Sequence, residues 1–118
     1  MVINVAENID KLNIKLTELQ EMILCELNNS ATHQTICKQT NIKPITLSKT
    51  LSSLTNKDLY KDNQLTEQGK KMVNYLTFRN STISDFLIQN KIQPTKDIYK
   101  QMRNLDVKII IAIKNALV

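Results

Sequence analysis

Apolar residues recur at helical spacing along most of the chain, and the breaks between runs carry capping and turn residues. Ile3, Ile9, Leu12 and Leu16 predict a short leading helix. Thr17-Glu18-Leu19-Gln20 then has the form of a capping box, a hydroxyl at the N-cap and an amide three residues on. Behind it Leu19, Met22, Ile23, Glu26 and Leu27 keep helical spacing up to the stop Asn28-Asn29-Ser30. Thr32 caps a further short helix to about Thr40, with Ile36 as its apolar anchor, and Asn41-Ile42-Lys43 is a turn. Pro44 marks where the next helix begins, because a proline at the first helical position has no N–H to leave unsatisfied. Leu47, Leu51 and Leu54 follow at i, i+4 and i+7, one buried stripe. With Ile36 and Ile42 pointing inward onto that stripe, the two helices and their turn read as a helix-turn-helix.

The pattern then changes period. Leu59-Tyr60-Lys61 and Gln64-Leu65-Thr66 suit two very short strands around Asp62-Asn63, a minimal wing. Thr66 caps a long helix with Glu67 in its first turn and Met72, Val73, Leu76, Ile83, Phe86 and Leu87 along it, ending near Asn90. Pro94-Thr95 is a break. Ile98, Met102 and Leu105, and then Ile109, Ile110, Ile111, Ile113 and Leu117, predict one or two closing helices. The expected fold is mostly α: a winged helix-turn-helix with a minimal β-wing, followed by C-terminal dimerisation helices. Residues 1–66 form the DNA-binding unit in this reading, and residues 67–118 form a long linker helix and a helical dimerisation unit. One Gly and two Pro in 118 residues agree with a helical chain, since hairpin-rich folds need positive φ more often. There is no apolar run of membrane-spanning length and no signal-peptide pattern, so a cytoplasmic location and no membrane partner are expected.

Charge changes the picture. The net charge is +5, but it is unevenly placed. Met1–Glu26 carries two Lys against five acids, whereas Leu27–Lys57 carries Lys38, Lys43, Lys49 and Lys57 and no acid at all. A stretch cleared of carboxylates suits a polyanion, because a nearby carboxylate would repel phosphates. Within it, the outer face of the Pro44 helix carries Ile45, Thr46, Ser48, Lys49 and Ser52, small hydroxyl residues and one lysine suited to phosphates and base edges in a major groove. A plain helical hairpin would share the leucine stripe but would be expected to show Glu/Lys pairs outside. Phosphate contacts are expected from Lys43, Lys49, Lys57 and Lys61, and readout from Ile45, Thr46, Ser48 and Lys49.

Four segments carry a family likeness: "ICKQTNIKPITLSKTLSSL" over the helix-turn-helix, "LTEQGKKMV" after the wing, "FRNSTISDFL" and "DIYKQMRNLDVKI". From about Leu16 onward the chain resembles the iron- and manganese-dependent repressors, the diphtheria-toxin-repressor-like metalloregulators. The third segment is similar to that family's Arg-His-x-Leu-Leu-x-x-Phe-Leu stretch, and the fourth to the stretch that ends in Glu-His. The resemblance implies a winged DNA-binding unit, a helical dimerisation unit and a divalent metal between them as the switch. The implied ligand positions, however, depart from that pattern. The family's His falls on Asn80, its amino-terminal carboxylates fall on apolar positions around Leu16 and Leu19, and its Glu, Glu and His fall on Arg103, Asp106 and Val107. Asp106 alone does not make a transition-metal site, so neither a metal nor another cofactor is expected. Arg103 reads either as a fixed positive charge in the metal's place, holding the dimer in one state, or as a surface arginine.

The remaining reactive residues add little. His33, the one histidine, is expected to face solvent in the first turn of its helix. Cys25 and Cys37 lie on neighbouring helices and read as small core residues or as a redox pair. No nucleophile–base arrangement, Gly-rich phosphate loop or Cys-x-x-Cys cluster is present, so no enzymatic activity is expected. The closing segment "VKIIIAIKNALV" holds more apolar positions than one helix stripe needs. Its excess is expected to form a homodimer interface through Ile109, Ile110, Ile113 and Leu117, or to pack back on Ile3 and Ile9. The expected function is a sequence-specific, double-stranded-DNA-binding transcriptional regulator acting as a homodimer without metal response. The alternatives are a winged-helix protein-interaction module, such as an adaptor or inhibitor from a mobile element, and a replication-origin binder.

Overall fold

The computed structural model describes residues 12–117, so the predicted leading-helix positions Ile3 and Ile9, and Val118, lie outside the described residues. Leu12 is buried, but residues 13–17 form no regular element, so Leu16 does not continue a leading helix. Among the described residues the order is α1 (Glu18–Asn28), α2 (His33–Thr40), α3 (Pro44–Asn56), β1 (Tyr60–Lys61), β2 (Gln64–Leu65), α4 (Glu67–Gln89), α5 (Lys96–Met102) and α6 (Val107–Ala116). The protein is mostly helical with one small antiparallel sheet. No helix among the described residues is long and apolar enough to cross a membrane.

The helix starts follow from local chemistry. Thr17 and Gln20 form the reciprocal capping box: the Gln20 N–H donates to Thr17 Oγ1 at 3.1 Å and the Thr17 N–H donates to Gln20 Oε1 at 2.9 Å. Thr32 caps α2 through the Thr35 N–H, and Pro44 opens α3 with Lys43 as a cap that makes no side-chain hydrogen bond. Thr95 and Asp106 cap α5 and α6.

Four of the six described helices end by one rule, and it is not the usual glycine. Ser30, Asn41, Asp58 and Lys91 all have positive φ near 60°. In each case the next residue's N–H donates to a carbonyl five residues back: Ala31 to Glu26, Ile42 to Cys37, Leu59 to Leu54 and Ile92 to Leu87. Asp62 and Asn63 also have positive φ, as a two-residue type I′ hairpin turn requires. The hairpin pairs Tyr60 with Leu65 and Lys61 with Gln64. The scarcity of glycine therefore does not mean a scarcity of positive φ.

Two compact units divide the described residues. One is Leu16–Val73; the other combines 12–15 with 74–117. The start of α4 is tied to the segment that follows α3. Thr66 Oγ1 donates to the Asp58 carbonyl and accepts from the Gly69 N–H, and the Thr66 N–H donates to the Leu59 carbonyl. Gly69, the chain's one glycine, lies so close to this segment that a Cβ there would stand 2.1 Å from the Leu59 carbonyl oxygen.

The core of Leu16–Val73 is built from Ile23, Leu24, Ile36, Leu47, Leu54, Leu59 and Met72, all buried. Met22, expected on the apolar stripe of α1, is 49% exposed; Ile23 and Leu24 take the core positions and Met22 lies off their face. Leu51 is only half-buried, and Thr50 shares the inner face of α3 because its hydroxyl is satisfied by the Thr46 carbonyl at 2.9 Å. In the second unit Ile83, Leu87 and Ile110 form the centre, with Phe78, Phe86, Ile98, Tyr99, Met102 and Leu105 packed against it. Ser84 and the Tyr99 hydroxyl, 2.5 Å apart, join α4 to α5.

Gly69→Ala should destabilise the fold by about 1–3 kcal/mol despite alanine's better helix propensity, because a backbone carbonyl cannot swing aside as a side chain does. Lys91→Gly should act the opposite way and raise stability by about 0.5 kcal/mol, by relieving the left-handed residue at the end of α4. Urea titration of the two variants measures both; a stabilised Gly69→Ala would contradict the close approach of α4 to Leu59.

Candidate nucleic-acid interface

Helical spacing sorts the residues of α3 into two opposite stripes. Leu47, Thr50 and Leu54 are buried. Ile45, Ser48, Lys49 and Ser52 stand at i, i+3, i+4 and i+7, and all four are exposed. Thr46 lies between the stripes and is half-buried. Lys43 is exposed just before the helix, whereas Lys57 is half-buried at its C-cap, with its backbone N–H turned back onto α3. Lys61 is exposed on β1, beside the hairpin turn.

The hairpin rests on the helices: β1 packs against α3 and β2 against α1. Tyr60 is buried while its strand neighbour Lys61 points outward, the alternation a strand imposes. Burial raises the Tyr60 phenol above its ordinary pKa, so it stays a neutral hydrogen-bonding group. Its hydroxyl lies 3.4 Å from His33 Nε2. His33 is exposed as expected, but this approach to the hairpin was not legible from spacing. A depression of about 390 Å³ opens beside it, lined among others by Ser30, His33, Asn63, Gln64 and Lys70 and by no acidic residue.

The charge of α2 and α3, though not of the unit as a whole, favours an anion. No Asp or Glu occurs between Leu27 and Lys57, so α2 and α3 carry only basic charge. Lys43 leaves the N–H groups at the start of α3 without a side-chain cap, and a helix N-terminus carries partial positive charge. The outer stripe can donate hydrogen bonds from Lys49, donate or accept through Ser48 and Ser52, and offer hydrocarbon from Ile45.

Of the ligand positions implied by the metalloregulator resemblance, Asn80, Arg103, Asp106 and Val107 lie in the other unit, and Leu16 and Leu19 lie in Leu16–Val73. Arg79 is 4% exposed, and its Nε and Nη2 donate to Asn80 Oδ1 at 3.1 and 2.9 Å. Its Nη1 points to the Arg103 carbonyl oxygen at 3.5 Å. Asp106 caps α6, its Oδ1 accepting from the Lys108 N–H at 2.8 Å, and Val107 is buried, its N–H donating to Asn13 Oδ1. Leu16 and Leu19 are half-buried. Among the described residues no group of three His, Cys, Asp or Glu could hold a metal ion. A buried guanidinium already occupies the Asn80 oxygen, so this donor set does not fit a divalent cation. Arg79 was missed by sequence reasoning, though a signal existed: it falls on the stripe Met72, Leu76, Ile83 of α4.

The predicted dimer residues divide as well. Ile109 is 47% exposed, and Ile113 and Leu117 are half-buried. Ile110 is fully buried against Ile83 and Leu87 and cannot touch a partner; the chain's own core uses part of the apolar excess of α6. Ile88, 72% exposed at the end of α4, and Ile92 were not anticipated as apolar surface. Cys25 and Cys37 are half-buried free thiols.

No protein-family model, curated protein or solved structure matches this chain.

Adding manganese or ferrous iron should leave the melting temperature unchanged, since specific binding to the folded state alone would raise it. A rise of several degrees that a chelator reverses would show that ligands other than Asn80 and Asp106 assemble a site.

Proposed function

We propose that Leu16–Val73 is a winged helix-turn-helix unit that binds duplex DNA, and that the chain acts as a homodimeric transcriptional regulator without a metal switch. The observation that carries this reading is the outer face of α3. Ile45, Ser48, Lys49 and Ser52 are exposed on one stripe, opposite a buried one, in a stretch with no acid. In this reading α3 enters the major groove and the β1–β2 hairpin is the wing, with Lys61 against a phosphate. Lys43 and Lys57 add phosphate contacts that position the protein without reading sequence, and Lys49 reaches both phosphate and base edges. The resemblance to the metalloregulators supports the same arrangement, and the occupied donors at Asn80 and Asp106 support a constitutive form of it.

The dimer rests on leftover apolar surface in the second unit. Ile88 and Ile109 are well exposed, and Ile113 and Leu117 are half-covered. A two-fold partner would cover such surface and set two recognition helices about one DNA turn apart. A protein-interaction module is the second reading, favoured by the exposure of Met22 and Ile45 in Leu16–Val73.

Binding to random duplex DNA as a function of salt separates the two. Four lysine contacts per protomer would give a dimer a log–log slope of roughly −7; binding that ignores salt favours the protein partner. Lys49→Ala should weaken binding to the best selected site by about 1–3 kcal/mol more than it weakens random DNA, while Lys61→Ala should weaken both evenly. An unaffected best site in the Lys49→Ala protein would mean that a different face reads DNA.

Sedimentation tests the assembly. The parent chain should be a dimer at micromolar concentration, and Ile88→Glu combined with Ile109→Glu should give folded monomers with reduced operator affinity. A parent that sediments as a monomer removes the dimer from the proposal.

A further inference from the structure

Ile45 is 63% exposed, the most exposed large apolar residue of Leu16–Val73. It is the second residue of α3, between Lys43 and Lys49. A lone exposed isoleucine is ordinary on a protein surface; what marks this one is its place at the start of α3, on the stripe with Ser48, Lys49 and Ser52. A face that met base edges would have a use for it, if the bases carry hydrocarbon.

The side chains missing from this face narrow the possibilities. Arginine and lysine read guanine by a bidentate bond, asparagine and glutamine read adenine, and aspartate and glutamate accept from cytosine. Of these six, Pro44 to Ser53 contains lysine alone, at Lys49. What remains is one lysine, hydroxyls that pair with several bases, and the carbon of Ile45 and the Thr46 methyl. Asn56 falls on the same stripe, but it is the last residue of α3, roughly 16 Å further along the axis at 1.5 Å per residue. The turns that reach base edges in this kind of docking are the amino-terminal ones.

We propose that Ile45 reads the 5-methyl group of thymine in the major groove, so that the protein selects its site by methyl contact beside whatever Lys49 reads. The inference rests on the duplex-DNA reading above and specifies its substrate: a half-site with one or two thymines facing the start of α3. The charge around Ile45 supports this occupant over a protein one, because the same face is flanked by Lys43 and Lys49 and is free of acid. It also separates DNA from RNA. Uracil lacks the methyl, and the narrow major groove of an A-form duplex does not admit the helix.

The test begins with selection of the tightest duplex from a random library. Each thymine of that duplex is then replaced singly by deoxyuridine, which removes only the methyl. At one or two positions in each half-site the affinity should fall by about three- to tenfold, the range expected for losing one buried methyl contact. Ile45→Ala should bind the thymine and deoxyuridine duplexes alike, and Ile45→Val should restore most of the discrimination. Tight, salt-dependent binding in which every deoxyuridine is neutral would overturn the methyl contact while leaving the DNA reading intact. So would discrimination that survives in Ile45→Ala. Failure of any duplex to bind would overturn both together.

Discussion

Burial of Leu47 and Leu54 decides which way α3 faces, and the rest of Leu16–Val73 follows from that. A helix has one orientation about its axis once two positions a couple of turns apart are held in a core. Thr50 joins them because its hydroxyl finds the Thr46 carbonyl, so a polar residue can share the inner stripe without an unsatisfied group. Ile45, Ser48, Lys49 and Ser52 are then outward by geometry alone. Thr32 and Pro44 set the starts of α2 and α3, and the left-handed Asn41 sets the turn between them. At the far end, Asp58 turns the chain so that Leu59 is buried and the hairpin begins in register. The exposed face is therefore a by-product of the buried one, which is why a change in the leucine stripe would move every outward side chain together.

Much of this was legible because the cues are local. A threonine before a helical run, a proline at its first position and an Asp-Asn pair between short strands each act within four residues, and the helices and hairpin lie where those cues put them. The face of α3 was legible for the same reason, since it follows from periodicity. Cues that depend on neighbours in space were not. Met22 fits an apolar pattern, yet Ile23 and Leu24 compete for the same core and win it. Ile110 is one of four isoleucines in α6, and no spacing rule says which of them meets Ile83 and Leu87.

Arg79 illustrates the limit from the other side. Its position on an apolar stripe argued for burial and its charge argued against it. Part of the resolution lies in the amide of the adjacent Asn80 and in the Arg103 carbonyl, which only the fold brings to the guanidinium. A site of this kind keeps a permanent positive charge inside the second unit without any ion from solution. Asn80 accepts from that internal cation, and Asp106 caps α6.

The lone glycine has a consequence outside the folded protein. Left-handed backbone at six described positions is carried by Ser, Asn, Asp and Lys, and glycine is kept for the single place where a β-carbon would meet the Leu59 carbonyl. Every glycine codon begins with two guanines, whereas asparagine, lysine and isoleucine codons are dominated by adenine and thymine. A fold that needs glycine once can be written in a gene with very little guanine and cytosine. Four of its helix ends use Ser, Asn, Asp or Lys where glycine is usual, so the backbone makes no demand for glycine there.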